Sequence, residues 1–161
     1  VLVTPYDFVL NNEMDDFSSP SGENVYGLRQ SDKNLPEPGK RPLSSMSPII
    51  IEKDGVPFLA VGASGGPRII SGVVQVLLRI LWFGDEPNEA VQRNRIHHQW
   101  LPNRVYVEEA SMEPYIAEHL SKIGHWWLPR KDIGVVQVIY VENDVMKPYS
   151  DRRKHGKAAG Y

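Results

Sequence analysis

The chain has no cysteine, which excludes disulfides and thiolate metal sites. It has a single threonine, Thr4, and that residue stands directly before Pro5. No apolar run reaches the roughly 18 residues of a membrane span. The longest candidate, Ile69 to Phe83, is interrupted by Ser71, Gly72, Gln75 and Arg79. A net excess of either charge is also lacking: 18 Lys and Arg nearly balance 20 Asp and Glu, the formal net charge is −2, and there is no basic field for a nucleic acid. What is present is ordinary for a globular protein. The 161 residues are 41% hydrophobic and 24% charged, enough for one domain, or a large piece of one, with a buried core. The first residues, Val1-Leu2-Val3-Thr4-Pro5, lack the initiator Met, basic region and small-residue cleavage site of a signal peptide. They read as the middle of a strand, the expectation for a fragment or a processed subunit.

Pattern along the chain predicts a mixed α/β architecture. Val1–Leu10 is strand-like, with Pro5 placing it at an edge or a bend. Ser18 to Arg41 is rich in Ser, Gly, Asn and Pro without a sustained apolar period, so a long surface loop is expected over 18–41. Asp54-Gly55 between the apolar runs Ile49–Glu52 and Pro57–Val61 is a hairpin signal. A helix is expected from Pro67 to Phe83, ended by Gly84, and a second from Glu86 to Arg95, opened by Pro87. Arg104–Glu108 alternates like a strand, Met112–Ile123 has helical spacing, and Ile133–Val141 is an almost continuous β-branched run, hence a buried strand.

Three stretches carry candidate chemistry. In Asn11-Asn12-Glu13-Met14-Asp15-Asp16-Phe17, three carboxylates fall within four residues behind Phe8, Val9 and Leu10. Placed at a strand end, they form an anionic pocket suited to an ammonium group; the bland alternative is a solvated strand end, and the spacing does not fit a calcium loop. In Pro42-Leu43-Ser44-Ser45-Met46, two hydroxyl donors sit on a stiff segment suited to a carboxylate, or to a simple turn or cap. A site holding both would read the two charged ends of an α-amino acid.

The third stretch is Gly62-Ala63-Ser64-Gly65-Gly66-Pro67-Arg68, between an expected strand and an expected helix. Its glycines allow a sharp turn and close approach of a ligand. Consecutive amides at a helix N-terminus offer partial positive charge to an oxyanion. The same residues match the G-x-S-x-G elbow of serine hydrolases, which makes Ser64 a rival nucleophile with His97, His98, His119, His125 or His155 as base. Only one hairpin precedes this elbow, and the serine reading leaves the acidic segment and the serine pair unexplained. Adjacent His97 and His98 point to different sides and favour packing or surface roles. Trp126-Trp127 reads as core or subunit interface.

Taken in order, and with the closing Ala158-Ala159-Gly160-Tyr161, these segments resemble the small subunit of γ-glutamyltransferase (glutathione hydrolase) across residues 1–161. The resemblance implies an N-terminal-nucleophile hydrolase, an αββα sandwich of which this chain is the C-terminal portion, incomplete at its N-terminus. It assigns Glu13 and Asp16 to the α-amino group of a γ-glutamyl moiety and Ser44 and Ser45 to its α-carboxylate, helped by an arginine of the large subunit. It gives the amides of Gly65 and Gly66 to the tetrahedral intermediate. It implies glutathione and γ-glutamyl compounds as substrates, amino acids or peptides as acceptors, no metal or organic cofactor, and the large subunit of the same precursor as partner. It places the protein on the extracellular face, in the periplasm or among secreted proteins. The family's nucleophile, an N-terminal threonine, lies upstream of these residues in a different local sequence, and Thr4 does not align with it. The chain is thus expected to be inactive alone, as a piece of an ordinary enzyme or as a truncated product without activity.

Overall fold

Pro5 breaks the expected N-terminal strand in two. Its missing N–H and fixed φ turn the chain at Pro5-Tyr6, and β1 (Leu2–Val3) and β2 (Phe8–Val9) pair antiparallel as a short hairpin, Leu2 opposite Val9 and Val3 opposite Phe8. The computed structural model describes residues 2–3, 5–6, 8–19, 22, 24–108 and 113–160; Thr4 and Tyr161 fall outside them. The chain forms two compact units, Val1–Ser44 and Ser45–Tyr161.

In the first unit the acidic segment is not the end of a strand but a 3₁₀ turn, Glu13–Asp16. The Asn11 side chain accepts from the Glu13 N–H (3.2 Å) and the Asn12 carbonyl from the Asp15 N–H (2.9 Å), so local hydrogen bonds win over extension. Across 18–41 the described residues form a long connection with a 3₁₀ turn at Asp32–Asn34 and an isolated bridge between Ser19 and Gly22. Ser18, its first residue, is buried, as is Phe17 just before it.

The second unit is built on a four-stranded antiparallel sheet. Asp54 and Gly55 both take positive φ (54° and 77°), the two-residue turn whose twist suits a hairpin, and join β3 (Ile49–Lys53) to β4 (Val56–Ser64). After β4 comes helix α1 (Arg68–Leu78), which continues as a π-helical turn, Arg79–Phe83, until Gly84 closes it in the left-handed conformation. Helix α2 (Pro87–Gln92) is shorter than expected. Two short elements follow, β5 (Ile96–His97) and β6 (Val105–Glu108), then helix α3 (Pro114–Lys122) and β7 (Trp127–Arg130). Strand β6 pairs antiparallel with β5 and parallel with β7, α3 serving as the crossover. The chain returns as β8 (Val135–Glu142) and β9 (Val145–Tyr149), giving the order β3-β4-β8-β9.

The core of this unit lies between α1 and one face of the sheet. Leu59 and Val61 of β4 and Val136 and Val138 of β8 pack with Ile69, Val73 and Val76 of α1, closed at one end by Ile80, Ala90 and Val91. Period-2 alternation sends Ile50 and Ile139 to the opposite face, where they remain exposed. Trp126 is also exposed, which leaves only the interface half of the core-or-interface expectation for it, whereas Trp127 is half-buried in β7. Among the described residues no helix is long and apolar enough to cross a membrane.

Candidate active site

The glycine turn stands where β4 hands over to α1. Ser64 is the last residue of β4 and pairs with Val135 of β8. Gly65 (φ 141°) and Gly66 (φ 58°) then take conformations that favour glycine, and the chain enters α1 through Pro67. The carbonyls of Gly65 and Gly66 point into the helix, accepting from the Arg68 N–H (3.4 Å) and the Ile69 N–H (3.0 Å). Their own N–H groups form no hydrogen bond among the described residues. Two adjacent amides at the N-terminus of an 11-residue helix are therefore available to an anion.

A buried charge network braces this turn from behind, and no signal in the sequence pointed to it. Gly134 packs directly on Gly65: a Cβ on Gly65 would lie 2.9 Å from the Gly134 Cα. The loop carrying Gly134 is pinned by Arg95, whose Nη1 donates to the Gly134 carbonyl (3.2 Å), and by Glu108, whose Oε1 accepts from the Ile133 N–H (2.8 Å). Arg95 and Asp151 form an ion pair at 2.9 Å with no exposed side-chain surface. Arg153 closes the set, forking onto Glu108 and reaching Asp151 Oδ1 at 2.9 Å. Two arginines thus alternate with two carboxylates, the arrangement that lets four charges share a dry site. Burial pushes the Asp151 carboxyl up, but the Arg153 and Val136 N–H groups and the Arg95 guanidinium overcome this and hold it below the usual range. The same network explains the short α2: the chain turns extended at Arg93 so that the Arg95 N–H can donate to Glu108 Oε2 (2.9 Å).

The rival nucleophile finds no imidazole. The Ser64 hydroxyl accepts from the Lys154 ammonium at 2.9 Å. His97 instead bonds Ser71 Oγ through Nδ1 (2.7 Å) and Gln99 Oε1 through Nε2 (2.9 Å). His98 bonds Asn103 (3.2 Å) and stacks edge-on with His125. His119 lies exposed on α3 and His155 in an exposed turn. Strand β4 is also antiparallel to both neighbours, unlike the parallel strand that carries a nucleophile elbow.

In the first unit, Glu13 is exposed and Asp16 half-buried, and neither carboxylate has a hydrogen-bond or ion-pair partner among the described residues. Ser44, exposed, closes this unit. Ser45, half-buried, opens the second, where its carbonyl accepts from the Ser47 hydroxyl at 3.1 Å. Within the second unit no described group of three or more His, Asp or Glu could hold a metal.

The fold puts the chain in a class, the N-terminal-nucleophile hydrolases, as part of their αββα sandwich. The family follows from comparison: the gamma-glutamyltranspeptidase model matches residues 1–161, and the chain belongs to that family. It is 43% identical over 137 residues to the glutathione hydrolase proenzyme of Escherichia coli (strain K12), covering 84% of this chain and 23% of that protein. It is 40% identical over 155 residues to scoloptoxin SSD14 of Scolopendra dehaani, covering 94% of this chain and 27% of that protein. The chain thus spans about a quarter of the length of these two relatives. Among solved structures, the gamma-glutamyltranspeptidase of Pseudomonas nitroreducens complexed with L-DON superposes with a TM-score of 0.89 at 38% identity, over 100% of this chain and 86% of that one.

Proposed function

We propose that the protein containing this chain transfers or hydrolyses the γ-glutamyl group of glutathione and related γ-glutamyl compounds. A nucleophile from outside these residues, a threonine freed at the N-terminus of a processed subunit, attacks the γ-amide carbonyl. The Gly65 and Gly66 N–H groups stabilise the developing oxyanion. The amine leaves with a proton, and a γ-glutamyl-enzyme ester remains. Water, or the amino group of an amino acid or peptide, then attacks the ester and restores the free hydroxyl. Glu13 and Asp16 hold the α-ammonium of the donor, and Ser44 and Ser45 its α-carboxylate. The two units together form the C-terminal portion of one small-subunit domain, 1–161, with the large subunit of the same precursor as partner and a site of action outside the cytoplasm.

The observation that supports this reading best is the pair of amides, unpartnered among the described residues, at the strand-to-helix turn in a chain of this family. The α-amino-acid character of the acidic and serine segments favours a γ-glutamyl donor over another acyl group. The test is release of chromophore from an L-γ-glutamyl anilide by the full precursor and by the isolated chain. The precursor should turn over and the isolated chain should not. In the precursor, Asp16→Ala should lower kcat/KM by roughly 30-fold or more, the cost of about 2–5 kcal/mol for an unpaired buried charge. An inert precursor, or turnover by the isolated chain, would overturn the proposal.

A further inference from the structure

The two segments assigned to the charged ends of the substrate are separated by more than twenty residues, yet one side chain spans them. Asn34 closes the 3₁₀ turn Asp32–Asn34 and is half-buried. Its Nδ2 donates to the Asp16 carbonyl at 2.8 Å, and its Oδ1 accepts from the Leu43 N–H at 3.0 Å. Asp16 is a proposed ammonium ligand, and Leu43 directly precedes Ser44. We propose that Asn34 is a positioning residue of the donor pocket. One side-chain amide holds the ammonium-reading segment with its donor and the carboxylate-reading segment with its acceptor. The proposal rests on the roles given above to Asp16 and Ser44.

The chemistry suits the residue. The asparagine amide carries a donor and an acceptor fixed on one rigid planar group, so a single rotamer sets the distance between the two backbones. The clamp is itself anchored. The Asn34 N–H donates to the Ser31 carbonyl and its carbonyl accepts from the Ser18 N–H, both at 2.9 Å. Ser18, which is buried, accepts through its hydroxyl from the Ser31 N–H at 3.1 Å. The Ser31 hydroxyl caps the turn by accepting from the Lys33 N–H at 3.3 Å. An amide held by its own backbone on both sides transmits position; a loose surface asparagine would not. The carboxylates of Glu13 and Asp16 have no protein partner among the described residues and are left available to a ligand.

The two halves of the clamp can be separated by substitution. Asn34→Asp keeps an acceptor for the Leu43 N–H but sets an oxygen against the Asp16 carbonyl. Asn34→Ala removes both bonds. The probes are three anilides assayed on the full enzyme: L-γ-glutamyl, the glutaryl analogue without the α-amine, and the 4-aminobutanoyl analogue without the α-carboxylate. Asn34→Asp should reduce the preference for L-γ-glutamyl over glutaryl by about tenfold, the worth of a lost or inverted hydrogen bond. Its preference over 4-aminobutanoyl should stay within about threefold. Asn34→Ala should erode both preferences. Asn34→Asp is nearly isosteric and carries the test should Asn34→Ala not fold. Variants that lose stability or overall rate while keeping both wild-type preferences would overturn the positioning role alone. A wild-type enzyme indifferent to the missing amine and carboxylate would overturn the pocket assignment and this proposal with it.

Discussion

The Cα of Gly134 occupies the space a side chain on Gly65 would need, since a Cβ there would sit 2.9 Å from it. The contact is backbone against backbone, so no rotamer change can relieve it. Seen from the other side, a Cβ on Gly134 would meet the Arg68 carbonyl at 3.2 Å, in the first turn of α1. Gly134 also takes φ +70°, which costs an alanine roughly 1–2 kcal/mol. Gly134→Ala should therefore lose stability and displace the Gly65 amide together. Gly84 is the matched control: its φ is +72°, but nothing lies within 4 Å of an added Cβ. The expected result is a loss of stability by thermal unfolding in both variants, larger in Gly134→Ala because of the added contact, with a fall in kcat of tenfold or more, about 1.4 kcal/mol, only in Gly134→Ala. Equal kcat in the two would separate the loop from the turn.

The buried charges behind the turn make a second prediction. Asp151→Asn leaves Arg95 without its ion-pair partner in a site with no exposed side-chain surface. Breaking such a pair from one side costs about 3–5 kcal/mol, far more than an exposed pair such as Lys122–Glu118 would. The pH dependence has a definite sign. The folded Asp151 carboxyl lies below its ordinary value, so its contribution is fully present above about pH 3.9, the unfolded value. It is lost as pH falls through the lower folded value. Denaturant titrations between about pH 2 and 5 should show wild type losing stability on acidification and Asp151→Asn starting lower with a flatter profile.

His97 makes a prediction in a different pH window. Burial is the largest influence on its imidazole and lowers its pKa, opposed by the bond to Gln99 and reinforced by the Arg68 and Arg130 charges. A base depressed in the folded state binds fewer protons there than when unfolded. Its stabilising effect is thus complete above about pH 6.5 and declines as pH falls through the folded value. Wild type should lose stability between pH 6.5 and 5 with a slope that His97→Gln removes. A slope unchanged in His97→Gln would assign the titration elsewhere.

These particulars show what the residues disclosed before the fold was known. The Asp54-Gly55 hairpin, the long helix ended by Gly84 and the β-branched strand at 135–142 were legible because each rests on local chemistry: a turn dipeptide, an apolar period, a breaker. The strands β5, β7 and β9 were not, since β5 spans two residues and β7 contains Pro129. Strand β9 could have been read from Asn143-Asp144, which take φ of 51° and 61° and turn the chain back from β8. The candidate site divides the same way. The glycine turn announced itself by composition, whereas Arg95, Glu108, Asp151 and Arg153 come from four separate stretches and acquire meaning only when folding buries them together.

The last prediction separates the two uses of the Ser64-Gly65-Gly66 turn. If the Gly65 and Gly66 amides meet an oxyanion, they are needed mainly in the transition state, and losing one such donor costs about 10²–10³ in kcat. Gly66 has φ +58°, a conformation an alanine can enter with modest strain, so Gly66→Ala tilts the amide without abolishing the turn. In the full enzyme it should depress kcat strongly while KM stays within about threefold, the signature of an interaction made late on the reaction path. Circular dichroism should be unchanged. Ser64→Ala removes only a hydroxyl that accepts from exposed Lys154 and should leave kcat within about threefold, because surface bonds of that kind contribute little. A dead Ser64→Ala beside a near-normal Gly66→Ala would reverse the assignment, since a serine nucleophile needs its oxygen and an oxyanion turn needs its nitrogens.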